Sequence, residues 1–295
     1  MTLELLDLTS VGRIDLAGAA DLHCYFGPDA HRERSVSAIE AARDALIADH
    51  AAIVLKSHDC PTAVLASAVD DVVPGIDVYG GICCEREVGG INPAAVEAAL
   101  RLGAKIVWLP TVSSLQDYQS GAAAKLGIPG PGIPTCDPES GQLLYQTNEV
   151  MALVAQYDAI LATGHISAYE HYAVAKTFAR KGKLVVTHAM EELVGPNLTI
   201  EQCVDLAGLG ATIELAALTC VGTLATRSPE QIAACIRAVG PEHVTLATAY
   251  GQKANARPAR GLSLFAEALL DEGLDESTIR RMACTNPRAL LGLPA

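Results

Sequence analysis

Four of the eight histidines stand at the carboxyl-terminal end of a short apolar run: His23 within Asp21-Leu22-His23-Cys24-Tyr25, His58 after Lys56-Ser57, His165 after Thr163-Gly164, and His188 after Thr187. A lone histidine on such a run is ordinarily a hydrogen-bonded core residue. The same placement repeated in separate runs points instead to a shared site. Converging imidazoles suit zinc, manganese, iron or cobalt. One divalent ion held by His23, His165 and His188 would acidify a water and polarise a carbonyl. Other polar side chains occupy matching places: Lys56, then Glu85 with Arg86 and Glu87, then Glu214, then Thr248-Ala249-Tyr250. Lys56 would bind a substrate carboxylate or stabilise developing negative charge, or else pair with Asp21 or Glu214. Arg86, set between two glutamates, reads as a solvated or ion-paired loop. No G-x-S-x-G nucleophile elbow occurs, and no motif makes Cys83 or Cys84 a catalytic thiol.

A shared mouth requires these runs to be strands of one sheet. The apolar runs are Ala20–Cys24, Ala52–Lys56, Asp77–Cys83, Lys105–Leu109, Ala159–Thr163, Leu184–Thr187, Ala211–Leu215 and His243–Thr248. Each is short and apolar on both sides, as a parallel strand covered by helices must be. Helix starts lie between them. Ser37 with Glu40, Ser167 with Glu170 and Thr199 with Gln202 have capping-box spacing, while Asn92-Pro93 and Ser228-Pro229 set a cap before proline; Pro61 opens the helix after the second strand in the same way. Gly103, Gly182 and Gly210 fall where a helix must stop. Eight such units predict an α/β fold, the (β/α)8 TIM barrel, whose site lies at the carboxyl ends of the strands. The Gly- and Pro-rich interval from Pro110 to Gln146 reads as a long loop after the fourth strand, and Asp275–Leu291 as an extra carboxyl-terminal helix.

The chain has 295 residues, half of them apolar and 19% charged. At about 150 residues per domain it could hold two domains, yet a barrel of about 250 residues is one unit; the expectation is a single barrel domain over residues 1–295. A net charge of -13 leaves no basic stripe for nucleic acid and no attraction to an anionic membrane. The expected partners are a small-molecule substrate and further copies of the chain in a homo-oligomer. The nine cysteines include no C-x-x-C pair. With no basic-then-apolar leader at the start, the chain reads as a cytoplasmic protein with reduced thiols.

The D-x-H of the first strand, the single histidines ending the fifth and sixth, and the tail Asn286-Pro287-Arg288-Ala289-Leu290-Leu291-Gly292-Leu293 together resemble the amidohydrolase superfamily of metal-dependent hydrolases. The stretches LKSHDCPT, GGINPAAVEAAL and IVWLPT mark an uncharacterised branch. The resemblance implies hydrolysis of a small amide, cyclic amide or lactone, with one divalent metal, zinc first, on His23, His165 and His188. It also implies departures. Tyr25 stands where members carry the second histidine of H-x-H, and no bridging lysine ends the fourth strand. Ala249 stands where the strand-eight aspartate, ligand and base, is expected. His188 would then either ligate the metal or orient substrate and stabilise an oxyanion. Lys56, His188, Tyr25 and His58 are the expected catalytic set, and Asp21, Glu85 and Glu214 the expected substrate-binding set. The same mouth admits decarboxylation, lyase or isomerase chemistry on a small carboxylate. A third reading is a catalytically degenerate barrel that binds a ligand.

Overall fold

The computed structural model describes residues 12–294. The amino-terminal stretch read above as free of a leader begins outside the described residues. Eight parallel strands follow one another in a single sheet in the order β1 to β8 and alternate with helices, giving the (β/α)8 barrel. They are β1 (Ala20–Tyr25), β2 (Ala52–Lys56), β3 (Asp77–Cys83), β4 (Ile106–Trp108), β5 (Ile160–Ala162), β6 (Lys183–Val186), β7 (Thr212–Ala216) and β8 (Val244–Ala247). Every strand end falls within one residue of the sequence expectation. The reason is local: each run is mostly apolar, and nearly every residue in it is buried.

The capping signals hold. Ser37, Ser167 and Thr199 each accept from the backbone three residues on, with Glu40, Glu170 and Gln202 returning the bond, and Ser228 with Gln231 adds a fourth box. Asn92 caps the helix Pro93–Arg101 from its side chain. After β2 the helix begins at Ala63 rather than at Pro61, because the Thr62 hydroxyl and backbone are committed to Gly81 of β3.

By internal contacts the chain falls into two compact units. The first takes the chain up to Leu55, Leu65–Tyr79, and the chain from Leu215 on. Its core sets Phe26, Val36, Ala41, Ala45, Ile53, Leu55, Val69 and Val78 against one another. In it β1 and β8 are stitched by a side chain: the Asp21 carboxylate accepts from the Thr248 backbone at 3.1 Å, from the Thr248 hydroxyl at 2.5 Å and from the His23 backbone at 3.0 Å. The carboxyl-terminal extension is helical, as expected, but broken. Helices Glu276–Arg280 and Asn286–Leu291 join through a π-helical turn at Arg281–Thr285, just ahead of Pro287, which brings no backbone donor. Asn286 donates to the Pro241 and Val244 carbonyls and so ties the tail to the start of β8.

The second unit is Lys56–Val64 with Gly80–Glu214. It holds β4, β5 and β6 in regular parallel register, Ile106 opposite Ile160 and Ile160 opposite Lys183. The interval after β4, read from the sequence as irregular loop, is built. It contains helices Leu115–Ser120 and Ala122–Lys125, and a small core of Val112, Ala123 and Ile128. The Glu170 carboxylate, besides its capping role, accepts from Thr135 and Cys136 at 2.7 and 3.0 Å and pins the far end of the interval to the next helix. No disulfide joins the nine cysteines, all of which are among the described residues, and Cys60 alone of them is exposed. No described helix is long and apolar enough to cross a membrane.

Candidate active site

The second unit gathers Lys56, His58, Glu85, His165, His188 and Glu214, all buried. His165 and His188 follow β5 and β6, and their Nε2 atoms lie 3.0 Å apart. Two features put them there. Gly164 has φ +65, and a Cβ on it would run into the Leu109 and Pro110 carbonyl oxygens, so the chain turns close against β4 and sends His165 inward. His188 itself has φ 23, a left-handed conformation that is uncommon for a non-glycine residue, and its backbone donates to Glu214 at 3.0 Å. Gly164→Ala should therefore cost at least about 2 kcal/mol, from the clash and the left-handed backbone together. Urea unfolding measures this; a loss below about 0.5 kcal/mol would mean that the turn is not held where we place it.

The other nitrogen of His165 is fixed by a residue the sequence reading did not select. Asp117, fully buried in the helix Leu115–Ser120, places Oδ2 2.6 Å from His165 Nδ1, while its Oδ1 accepts from Gly195 at 2.6 Å. With Nδ1 held on the carboxylate, the Nε2 of His165 faces His188. The only local signal for Asp117 is its spacing after Ser114, whose hydroxyl accepts from the Asp117 backbone and starts the helix. Nothing in the sequence ties that helix to His165, 48 residues on.

A second cluster surrounds Glu85. Its Oε1 accepts from the Thr111 backbone at 3.0 Å and from the Thr111 hydroxyl, and its Oε2 from the Ser113 backbone at 2.9 Å. The Thr111 hydroxyl has one proton, and it is given to Glu85. Thr111 Oγ1, 2.8 Å from His58 Nδ1, must then accept, so His58 carries its proton on Nδ1 and its lone pair on Nε2. Burial pushes His58 down to about 4, with Lys56 and His165 adding to the shift and Glu85 opposing it, so the imidazole is neutral at neutral pH. Burial alone would lift Glu85; His58, Thr111 and Ser113 hold it instead at about 2. Glu214 goes the other way. Burial raises it to about 7, against the His188 backbone donor, Lys56 and His165. The Lys56 ammonium lies 5.1 Å over the Trp108 ring. The adjacent thiols are no rivals for this chemistry, since burial pushes Cys84 up to about 12 and Cys83 further.

The remaining expected residues belong to the first unit. His23 is fully buried with its ring 5.2 Å from Tyr25, and the Arg34 guanidinium lies 4.2 Å over the Tyr25 ring. Asp21 serves the β1–β8 stitch described above, and Glu85 the loop after β4, so both carboxylates have structural work beside the substrate-binding part expected of them. Ala249 is buried with φ 50 and packs on Tyr25 and Ala216. As a seat for a metal the arrangement fits in part. Two imidazole nitrogens face each other, one oriented by a carboxylate on its far side, which is how metal-bound histidines are held. Among the described residues no group of three or more His, Cys, Asp or Glu is placed to hold an ion.

Residues 18–214 match the family described as Family of unknown function, DUF6282. The chain belongs to that family. No curated protein matches it. Among solved structures, this DUF6282 member is similar to an amidohydrolase from Pseudomonas aeruginosa, with 12% identity, TM-score 0.59, and 99% of this chain and 98% of that one covered. It is similar to a β-aspartyl dipeptidase from Fervidobacterium islandicum, with 14% identity, TM-score 0.61, and 93% and 72% covered. It is also similar to a 2,6-dihydroxybenzoate decarboxylase from Rhizobium, with 12% identity, TM-score 0.53, and 94% and 100% covered. At these identities the likeness shows the shared barrel fold, in accord with the fold read from the sequence, and the DUF6282 match is in accord with an uncharacterised branch.

Proposed function

We propose that the protein is a metal-dependent hydrolase of a small amide, cyclic amide or lactone. The observation that carries the proposal is the His165–His188 pair, with two Nε2 atoms 3.0 Å apart and Asp117 on the far side of one ring. His23, as the third ligand, rests on the sequence resemblance. A divalent ion, zinc first, would supply a polarised carbonyl and an acidified water. The chain's own residues do the rest. Asp117 holds the His165 tautomer, Lys56 offers positive charge where negative charge develops, and Glu214 holds a proton near neutrality that Ala249 cannot. The substrate is a small molecule, and the protein acts as a cytoplasmic homo-oligomer.

A second reading, decarboxylation or C–C cleavage of a small carboxylate, is favoured by the buried Lys56 cation beside Trp108 and by the alanine at position 249. Zinc titration of metal-stripped protein tests the first reading. Uptake of about one equivalent is expected, with affinity lowered at least about tenfold in His165→Ala and in His188→Ala. No uptake, or uptake indifferent to both substitutions, would overturn the metal claim. Screening amides, lactones and carboxylates on wild type and on Ala249→Asp, with assay of carbon dioxide, then separates the two reactions. Carbon dioxide release without a hydrolysis product would favour the second.

A further inference from the structure

We infer that a separate cavity in the second unit, of about 490 Å³ and lined by Arg86, binds small carboxylates that carry a compact apolar body. The cavity lies between the turn after β3 and the interval after β4, and neither His165, His188 nor Lys56 lines it. The inference therefore goes beyond the proposed hydrolase and stands without any metal. Its size is that of an ordinary small-molecule pocket.

The walls define the ligand. Ile91, Ile133, Pro134 and Leu144 make one side apolar, and Gln146 adds an amide. Arg86 is the charged residue of the lining, and no acidic side chain of the described residues lines the cavity to offset it. The guanidinium is held in place because Nη2 donates to the Pro131 carbonyl at 2.6 Å. Its Nε, by contrast, is buried and has no hydrogen-bond partner. A buried donor without an acceptor is costly, so an acceptor delivered by a ligand recovers what the free protein lacks. A guanidinium with a fixed edge favours a planar carboxylate over a neutral acceptor. The turn is shaped to leave room: Gly89 and Gly90 both have left-handed φ, and a Cβ on Gly90 would face Ile133. Arg86, read from the sequence as a solvated or ion-paired loop residue, is half-buried in the turn after β3. The guanidinium bonds a backbone carbonyl, and no carboxylate pairs with it among the ion pairs of the described residues.

Calorimetric titration of the full-length protein with benzoate, with benzamide as the neutral control, tests this. Benzoate should bind saturably, benzamide at least about tenfold more weakly, and Arg86→Gln should weaken benzoate by about tenfold or more. Absence of saturable benzoate binding, equal affinity for benzamide, or an unchanged affinity in Arg86→Gln would overturn the assignment. The last of these is also what capture of benzoate by Lys56 would give. Should Arg86→Gln fail to fold for want of the Pro131 tie, Leu144→Trp fills the cavity and leaves Arg86 in place. Loss of benzoate binding in that variant, with thermal unfolding unchanged, supports the site, and unchanged affinity overturns it.

Discussion

Asp117→Ala should be among the most damaging single substitutions in the chain, costing about 3–5 kcal/mol of stability. The carboxylate is fully buried, and it satisfies two donors at once, the His165 ring and the Gly195 backbone, each at 2.6 Å. Alanine leaves both donors in a dry interior. Each carries a desolvation penalty of about 1–3 kcal/mol, and bonds to a charged acceptor lie at the upper end. Asp117→Asn keeps the volume but offers one oxygen where two are used, so a smaller loss of about 1–2 kcal/mol is expected. Urea unfolding measures both. If a metal binds the histidine pair, Asp117→Asn should also weaken zinc by about 10- to 100-fold, because the ring loses the partner that sets its tautomer. A stability loss under about 1 kcal/mol in Asp117→Ala would show that the carboxylate is not buried against His165 in solution.

The second large effect concerns a histidine that lies just ahead of β2, away from the carboxyl-terminal strand ends. His50 is buried, and neither ring nitrogen has a hydrogen-bond partner. Burial pushes its pKa down to about 4 from 6.5. In the unfolded chain the ring takes a proton as pH falls below 6.5, and in the native protein it does not until about 4. The unfolded state thus binds more protons throughout that window, and native stability falls by about 1.4 kcal/mol per pH unit from this group. His50→Leu removes the group at similar volume. The variant should be more stable than wild type by about 1–3 kcal/mol at pH 7, from relief of the unpartnered ring. The advantage should widen by about 2–3 kcal/mol at pH 4.5. Urea midpoints at the two pH values measure it. Glu214 has the opposite sign, since its raised carboxyl stabilises at low pH and loses that contribution as pH rises through about 7. Comparison of variant with wild type cancels it. An advantage that does not grow on acidification would mean that His50 protonates in the native state.

How far the sequence reaches follows from the range of the interactions. β2 and β3 are legible to the residue because a largely buried strand needs only its own apolar run. The helix starts at Ser37, Ser167 and Thr199 are legible because a capping box closes within four residues. His165 and His188 are legible because strand ends in a barrel share a face. Asp117 is not, because its role exists only once two segments far apart in the chain meet. The same holds for the Thr111 hydroxyl, whose single proton decides the tautomer of His58 53 residues away. The interval after β4 misleads because its glycines and prolines record sharp turns and do not record the Val112–Ala123–Ile128 core that gives those turns a fixed place.

The stitch between Asp21 and Thr248 spans 227 residues, and this bears on how the protein is made. On the ribosome, the whole of the second unit emerges before Leu215, whereas the first unit waits for chain that comes after it. Residues 80–214 can begin to pack while β1 still lacks β8, and for that time the Asp21 carboxylate has no Thr248 to receive. Domains form as their segments emerge at about 5–20 residues per second, so the early strand is left open for several seconds of synthesis. Its closing contact also carries one of the largest chain-closure entropies in the molecule. A translating chain stalled before Thr248 is accordingly the form of this protein that a strand-binding chaperone would meet.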